Sequence, residues 1–265
     1  MAASWIDLLG AGLSGGIVVK VFDYIYQEYL RRSKARKSAK ELVDRHIDPI
    51  LKSSDELVGK IRSLAQSDFI DLNKAQRPSN YEFEDWCPYL DIIYLFAQFW
   101  SWIQIIRIEG LFVNIGADVR GKKLLLFFRA LESTRTRLVA RSWQRAIGET
   151  LLKPTQNGLR TLTYPEFVDS FLSKKEFRRW YQPFIDILAN LNHTRERQRF
   201  MIYGIIIHSL IDTLDSEHLI TRDRPGWANK LSKKSKRSLR YRVFTIYLPF
   251  VDNYLRYLEA EKWPT

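Results

Sequence analysis

The sequence predicts an all-α protein in which a long N-terminal helix is followed by a helical bundle. Gly and Pro number only 12 and 9 among 265 residues, which favours long helices over a turn-rich β fold. Apolar residues recur at helical spacing along most of the chain, and no alternation of useful strand length is present. Hydrophobic residues make up 46% and aromatic residues 14% of the chain, so it can bury a substantial core.

Composition and motifs narrow the possible functions. Cys87 is the single cysteine, so no disulfide can form within the chain, which fits a reducing compartment. A net charge of +12 predicts an anionic partner, for which membrane lipid and nucleic acid are the main choices. The chain has no nucleophile elbow, no phosphate loop ending in Gly-Lys-Ser/Thr, no HExxH and no paired CxxC. We therefore predict no catalytic residue, no cofactor and no identifiable small-molecule substrate, and we favour a protein that is not an enzyme.

The N-terminal window, residues 5–26, is long enough to cross a bilayer as a helix, for which about 20 residues are needed. Twelve consecutive residues, 8–19, carry no charge. Lys20 and Asp23 lie three apart and can pair on one helix face, which lowers the cost of burying them. Glycines four apart offer a small surface for close helix contact in lipid. The predicted membrane contacts in this window are Trp5, Leu8, Leu9, Gly12 and Gly16.

A basic block, residues 31–40, follows this window directly. It carries six cations in ten residues, and each cation near an anionic bilayer contributes roughly 1 kcal/mol of attraction. Positive charge on one flank of an apolar segment indicates that this flank is cytoplasmic. An amphipathic helix in the membrane interface and a core helix of a soluble body remain alternatives for the window. The cations of the basic block are Arg31, Arg32, Lys34, Arg36, Lys37 and Lys40.

Three regions are predicted along the chain. Residues 1–70 form the membrane-associating helix and basic helical segment, with a break where Asp48 and Pro49 would begin a new helix. Residues 71–85 are polar, contain Pro78 and are interpreted as a linker. Residues 86–265 are predicted to form the helical bundle.

The most apolar stretch, residues 89–106, has Asp91 as its only charge. Its length would allow a second membrane span, but a central bundle helix is apolar nearly all round too. We favour the central helix. The side chains predicted to lie in the bundle core are Leu95, Phe99, Trp102, Ile106, Ile147, Phe167, Trp180, Ile206 and Leu210.

One helix carries a weak candidate for metal chemistry. His208, Asp212 and Asp215 occupy positions i, i+4 and i+7, which places an imidazole and two carboxylates on one face. No fourth ligand is evident, and the alternative is a helix end whose acids cap or pair with nearby arginines. A metal-dependent, hydrolase-like enzyme is therefore the third of our function hypotheses.

A second basic cluster, the basic segment 230–242, lies near the C-terminus. Arg240, Tyr241 and Phe244 combine charge with aromatic rings, as nucleic-acid-binding surfaces do, although a solvated helix face would have a similar composition. We predict a surface for an anionic partner, with a nucleic-acid-binding module as the second hypothesis. Its cations are Lys230, Lys233, Lys234, Lys236, Arg237, Arg240 and Arg242.

The run 86–215 resembles a group of bacterial helical proteins without an assigned activity. These proteins have an apolar N-terminal segment, then basic residues and a helix with Asp-Pro, as Asp48-Pro49 provides here. The resemblance implies a helical fold and brings no catalytic residues, and the basic segment 230–242 is not a feature of the group. The segments that carry it are LFAQFWSWIQIIR (95–107), QRAIGE (144–149), TYPEFV (163–168), FRRWYQPF (177–184) and RQRFMIYGIIIHSLIDTLD (197–215).

The leading hypothesis from the sequence is a membrane-anchored, non-enzymatic protein with an interaction or regulatory role on the cytoplasmic face. Its expected partners are a membrane, through anionic lipid, and a protein that the sequence does not identify.

Overall fold

A 62-residue helix, α1 (Trp5–Gln66), begins the fold and is about 93 Å long at 1.5 Å per residue. The structure is a computed structural model that describes residues 5–74, 82–156, 158–227 and 230–259, with the backbone alone for 5–23, 73 and 74. The predicted break at Pro49 is wrong, because the helix continues through this proline. A proline inside a helix costs about 3 kcal/mol, and here the flanking Ile47, Ile50 and Leu51 are all buried in the core. Their burial offsets that cost.

The remaining elements are mostly helices, which confirms the predicted all-α class. In chain order they are α2 (Ile70–Lys74), α3 (Phe83–Glu109), a 3-10 turn (Ile115–Ala117), α4 (Val119–Leu131), α5 (Arg141–Thr150), β1 (Leu152–Thr155), β2 (Gly158–Thr161), α6 (Tyr164–Ser173), α7 (Lys175–Arg179), α8 (Gln182–Leu188), α9 (Thr194–Leu214), α10 (Lys233–Ser238), a π-helical turn (Leu239–Phe244) and a second 3-10 turn (Tyr254–Tyr257).

The helix α3 lies at the centre of the bundle and packs against α1 and α5 most extensively. Phe96 packs against both Phe184 and Phe200, with ring centroids 4.8 and 5.5 Å away, and Trp100 donates a hydrogen bond of 2.7 Å to the Tyr203 hydroxyl. Among the helical segments whose side chains the structure describes, α3 alone is long and apolar enough to cross a membrane, and 72% of that apolar window is buried by the rest of the protein. This burial is what a central bundle helix requires.

The predicted core residues lie in or against one hydrophobic core. Six of the nine are buried: Phe99, Ile106, Ile147, Phe167, Ile206 and Leu210. The other three, Leu95, Trp102 and Trp180, are half-buried and pack against the same core. This core also includes α1 from Leu42 onward and Leu72 of α2. The segment 71–85 therefore connects parts that share a core, and its middle, 75–81, lies outside the described residues.

A short antiparallel hairpin, β1–β2, interrupts the helices, with Leu152 paired to Thr161 and Thr155 to Gly158. The sequence prediction had no strand here. The strands are only four residues each, too short for alternation to be visible. An Asn-Gly pair at 157–158, the strongest short-range hairpin signal, could have indicated it.

Candidate functional site

Residues 24–38 of α1 extend from the body of the protein without packing against it. Every side chain there is exposed except Glu28 and Ala35, which are half-buried, and the first buried residue is Ala39. The exposed side chains include large apolar ones, with Tyr24 71% and Tyr26 62% exposed. Ile25, Tyr29 and Leu30 are exposed as well. A soluble helix normally buries such residues, so this segment is a candidate contact surface.

The basic block lies on this same extended part of α1. Arg31 and Arg32 both pair with Glu28 at 2.7 Å, and their hydrogen bonds, that of Arg32 foremost, lower the pKa of the Glu28 carboxyl. The other four cations, Lys34, Arg36, Lys37 and Lys40, form no salt bridge with any described residue. Trp5, Leu8, Leu9, Gly12 and Gly16, the predicted membrane contacts, have side chains outside the described residues.

A second exposed apolar feature lies beside the point where α1 joins the body. The loop after α3 exposes Leu111 and Phe112, the latter to 95%. Its flanks bind α1 directly: Glu109 contacts His46 at 2.8 Å, and Arg120 donates to Asp44 at 2.5 Å. The apolar loop and the extended part of α1 therefore belong to the same end of the body.

The metal candidate turns out to be a buried structural cluster. His208 has no exposed surface, and its Nδ1 accepts a hydrogen bond of 3.1 Å from the Trp227 indole. Since an indole N–H only donates, Nδ1 carries the lone pair and the proton of the neutral ring is on Nε2. A protonated Nε2 cannot bind a metal ion, so this arrangement does not suit one. Burial lowers the pKa of His208 to about 3, with Arg256 as the next cause.

Asp212 lies one turn further along α9 and is held by the C-terminal segment. The Tyr257 hydroxyl donates to one carboxylate oxygen at 2.5 Å, and Arg256 lies 3.2 Å from the same oxygen. The other oxygen is 3.6 Å from His208 Nε2 and 3.7 Å from His218. Burial raises the pKa of Asp212, and Tyr257 and Arg256 partly oppose this.

Asp215, the third member of the predicted constellation, points elsewhere. Its carboxylate accepts backbone hydrogen bonds from Leu219, Ile220 and Thr221 at 2.9 to 3.0 Å and one from the Thr221 hydroxyl at 2.8 Å. It therefore organises the loop after α9 and does not converge with His208. Among the described residues no group of three or more His, Cys, Asp or Glu side chains could hold a metal ion, so the weak metal candidate is dropped.

Sequence reasoning missed the partners of this cluster, because they come from distant positions. Arg256 joins Asp212 to Asp223, which it contacts at 2.9 Å, and Tyr257 follows it in the chain. Trp227 and His218 come from the loop after α9. No motif or spacing in the sequence connects these positions; only the folded C-terminal segment brings them to α9.

The basic segment 230–242 lies on the surface with one face held by the core. Ser235, Leu239 and Val243 are buried, and the Ser232 hydroxyl caps α10 by accepting from the Ser235 backbone. Lys230 pairs with Asp68 at 3.1 Å. The other six cations, Lys233, Lys234, Lys236, Arg237, Arg240 and Arg242, form no salt bridge with any residue in the described part of the chain.

Two grooves lie on either side of Arg237 and Tyr241. The first, of about 560 Å³, is also lined by Lys234, Ser238 and Arg242. The second, of about 500 Å³, is also lined by Lys236, Arg240, Leu255, Leu258 and Glu259. Each groove thus presents three cations, and one arginine and one tyrosine are common to both.

No family model, curated protein or solved structure matches the chain. The resemblance to a group of bacterial helical proteins therefore stays a prediction.

Proposed function

We propose that the protein is anchored in a membrane by the N-terminal part of α1 and holds a non-enzymatic helical body on the cytoplasmic side, where the body binds other molecules. The observation that carries the proposal is the extended part of α1, residues 24–38, which exposes large apolar side chains to solvent next to unpaired cations. Tyrosine at the headgroup level and Lys or Arg on the cytoplasmic flank are the two features that fix a membrane helix in depth and direction.

The distribution of these side chains around α1 favours a helix that crosses the headgroups over one that lies along them. At 100° per residue, the five exposed apolar side chains of residues 24–30 together span an arc of about 240° around the helix. An interfacial helix needs an apolar stripe on one side only. A helix that enters the bilayer meets lipid on most of its circumference, which matches this wide arc.

The basic block then lies between the bilayer and the body. From Leu30 to Ala39, where α1 first becomes buried, the helix rises about 13 Å. Lys34, Arg36 and Lys37, which form no salt bridge with any described residue, lie in this interval about 6 to 11 Å from Leu30 along the helix. This is close to the Debye length of about 8 Å at physiological salt, so they would attract anionic headgroups. The exposed Leu111 and Phe112 are at the same end of the body and would face the lipid as well.

A non-enzymatic body is supported by the cluster around His208. Its imidazole is fully buried, and Asp212 is held by Tyr257 and Arg256. These contacts suit the attachment of the C-terminal segment to α9, whereas a general base must reach a substrate.

Vesicle flotation of the full chain tests the anchoring proposal. The chain should float with vesicles of phosphatidylcholine alone and stay bound at about 1 M salt, where charges are screened within about 3 Å. Replacing Tyr24, Tyr26 and Tyr29 together by Ser should weaken flotation on all vesicles, because their apolar area no longer enters the bilayer. A matched control replaces Leu219 and Ile246, which are exposed apolar residues elsewhere on the body, by Ser.

The basic block is tested in the same assay. Replacing Lys34, Arg36 and Lys37 together by Gln should remove the preference for vesicles that contain phosphatidylserine and leave binding to neutral vesicles unchanged. Flotation that needs anionic lipid and is lost at high salt would contradict insertion and leave only electrostatic adsorption. Equal losses in the tyrosine variant and its control would contradict a specific role for residues 24–29.

A further inference from the structure

The six unpaired cations of the basic segment 230–242 contrast with the paired arginines elsewhere on the body. Arg224 pairs with Asp55 at 2.9 Å, and Arg199 pairs with Glu196 at 2.6 Å. Such pairing neutralises the arginine charge within the protein, so little positive potential remains at the surface to attract a ligand. Cations without a carboxylate partner attract external anions instead. The basic segment therefore carries six positive charges that no carboxylate in the described part of the chain neutralises.

We propose that this surface binds single-stranded nucleic acid, with successive phosphates in the two grooves and a base stacked on Tyr241. The Tyr241 side chain is 57% exposed and stands between the grooves, since it lines both. Base stacking on an exposed aromatic ring within a positively charged groove is the usual means by which proteins hold a single strand without reading its sequence.

The geometry of the grooves suits a strand that passes over Tyr241 from one to the other. Arg237 lines both grooves, with Lys234 and Arg242 on one side and Lys236 and Arg240 on the other. Each volume, about 560 and 500 Å³, is within the range of sites that hold one small organic ligand, so each has room for a nucleotide unit. Glu259 lines the second groove and is the one acidic group there.

The segment is preorganised rather than a loose basic tail. Leu239 and Val243 fix one face in the core, so the cations need not be ordered at the moment of binding. The turn that carries Arg240, Tyr241 and Arg242 is π-helical, a rare conformation that occurs often at functional sites. The Arg240 guanidinium lies 5.6 Å from the Tyr241 ring centroid and leaves the other face of the ring for a base.

The position of the segment favours a soluble polyanion over lipid. Lys230, at its start, pairs with Asp68 just beyond the C-terminal end of α1. From Tyr26 to Asp68 the chain rises about 60 Å along the helix, many times the Debye length at physiological salt. This one step rests on the proposed anchoring through the N-terminal part of α1; the contacts in the grooves do not.

The test measures binding of a fluorescein-labelled single-stranded oligonucleotide of about 20 nucleotides, enough for one site of 4–16 nucleotides, to the full chain in phosphatidylcholine vesicles. We expect the logarithm of the affinity to fall with the logarithm of salt with a slope near −4, about −0.7 for each of six cations. Tyr241→Ser should weaken binding roughly tenfold, as expected for the loss of one stacked base, and Tyr241→Phe should keep it within about twofold.

The charge variants make the result specific to these grooves. Arg237→Gln should reduce the salt slope by about 0.7. Arg129→Gln is the matched control, because it removes from α4 one exposed cation that lines neither groove, and it should leave the slope unchanged.

Three results would overturn the proposal. In the first, Arg237→Gln and Arg129→Gln weaken binding equally, which indicates a general effect of net charge. In the second, inorganic polyphosphate binds as tightly as the oligonucleotide and Tyr241→Ser has no effect. In the third, vesicles with phosphatidylserine displace the strand from the wild type but not from Arg237→Gln, which assigns the grooves to lipid. A chain that fails to float yet binds the oligonucleotide in this manner refutes the anchoring proposal alone.

Discussion

Lowering the pH from 8 to 5 should destabilise the fold through His208. The ring is fully buried, and burial lowers its pKa from the ordinary value of 6.5 to about 3, with help from Arg256, Arg62 and Arg224. The imidazole of His208 therefore binds a proton less readily in the folded state than in the unfolded state. The stability that neutral His208 contributes is fully present above pH 6.5 and is lost as the pH falls from 6.5 towards 3.

The magnitude follows from the shift in pKa. Each pH unit below 6.5 costs about 1.4 kcal/mol, so the free energy of unfolding should fall by about 2 kcal/mol between pH 8 and pH 5. The raised pKa of Asp212 has the opposite sign, because the folded state takes up that proton more readily, which makes this figure an upper value. The pKa values of Asp215 and Asp223 are also lowered, and their effect on stability falls below the ordinary aspartate pKa of 3.8, outside the range from pH 8 to pH 5.

The assay is urea unfolding of the full chain followed by tryptophan fluorescence at several pH values, for the wild type and for His208→Asn. The Asn side chain keeps an acceptor near the Trp227 indole but has no proton to gain in this range. The cavity it leaves lowers stability equally at every pH, and the other histidines, present in both proteins, cancel. The wild type should therefore lose about 2 kcal/mol more than the variant between pH 8 and pH 5. Parallel pH profiles of the wild type and the variant would show that protonation of His208 does not destabilise the fold.

Three further substitutions test the packing, each by its urea midpoint. Gly148→Ala should cost about 1–3 kcal/mol, because its Cβ would lie 2.7 Å from the Trp100 carbonyl oxygen across the contact of α5 with α3; an unchanged midpoint would mean that these helices separate freely. Asp215→Asn should cost about 2 kcal/mol, because a neutral amide oxygen accepts the backbone hydrogen bonds of the loop after α9 more weakly than a carboxylate does. An unchanged midpoint would show that other contacts organise this loop. Gly158→Ala should cost about 1–3 kcal/mol, because its φ of 125° is strained for any side chain with a Cβ; wild-type stability would place the hairpin turn in another conformation.

The sequence predicts the fold class and the central helix because these depend on local patterns. Residues 89–106 are apolar nearly all round, and the side chains predicted for the core lie in it or against it. Periodicity is less informative where local rules and tertiary packing conflict. Pro49 signals a helix break, and only the buried neighbours on both sides explain why α1 continues.

The candidate site was less predictable, because it depends on long-range contacts. The spacing of His208, Asp212 and Asp215 places them on one predicted face, but Asp215 is the residue after α9 ends and turns to the following loop. Tyr257, the main partner of Asp212, is 45 residues away, and no local pattern links the two. The basic segment 230–242, by contrast, was evident from composition alone, since its seven cations lie within thirteen residues.

Extraction of the full-length protein from cell membranes tests whether the N-terminal part of α1 is inserted in the bilayer. Membranes are washed with high salt, then with alkaline carbonate, then with detergent, and a chain without residues 2–23 is treated in the same way. If this part of α1 is inserted, the full-length protein stays with the membrane through both washes and is released only by detergent, whereas the shortened chain is released by high salt. Release of the full-length protein by high salt alone, or identical behaviour of the two chains, would contradict insertion of the N-terminal part of α1.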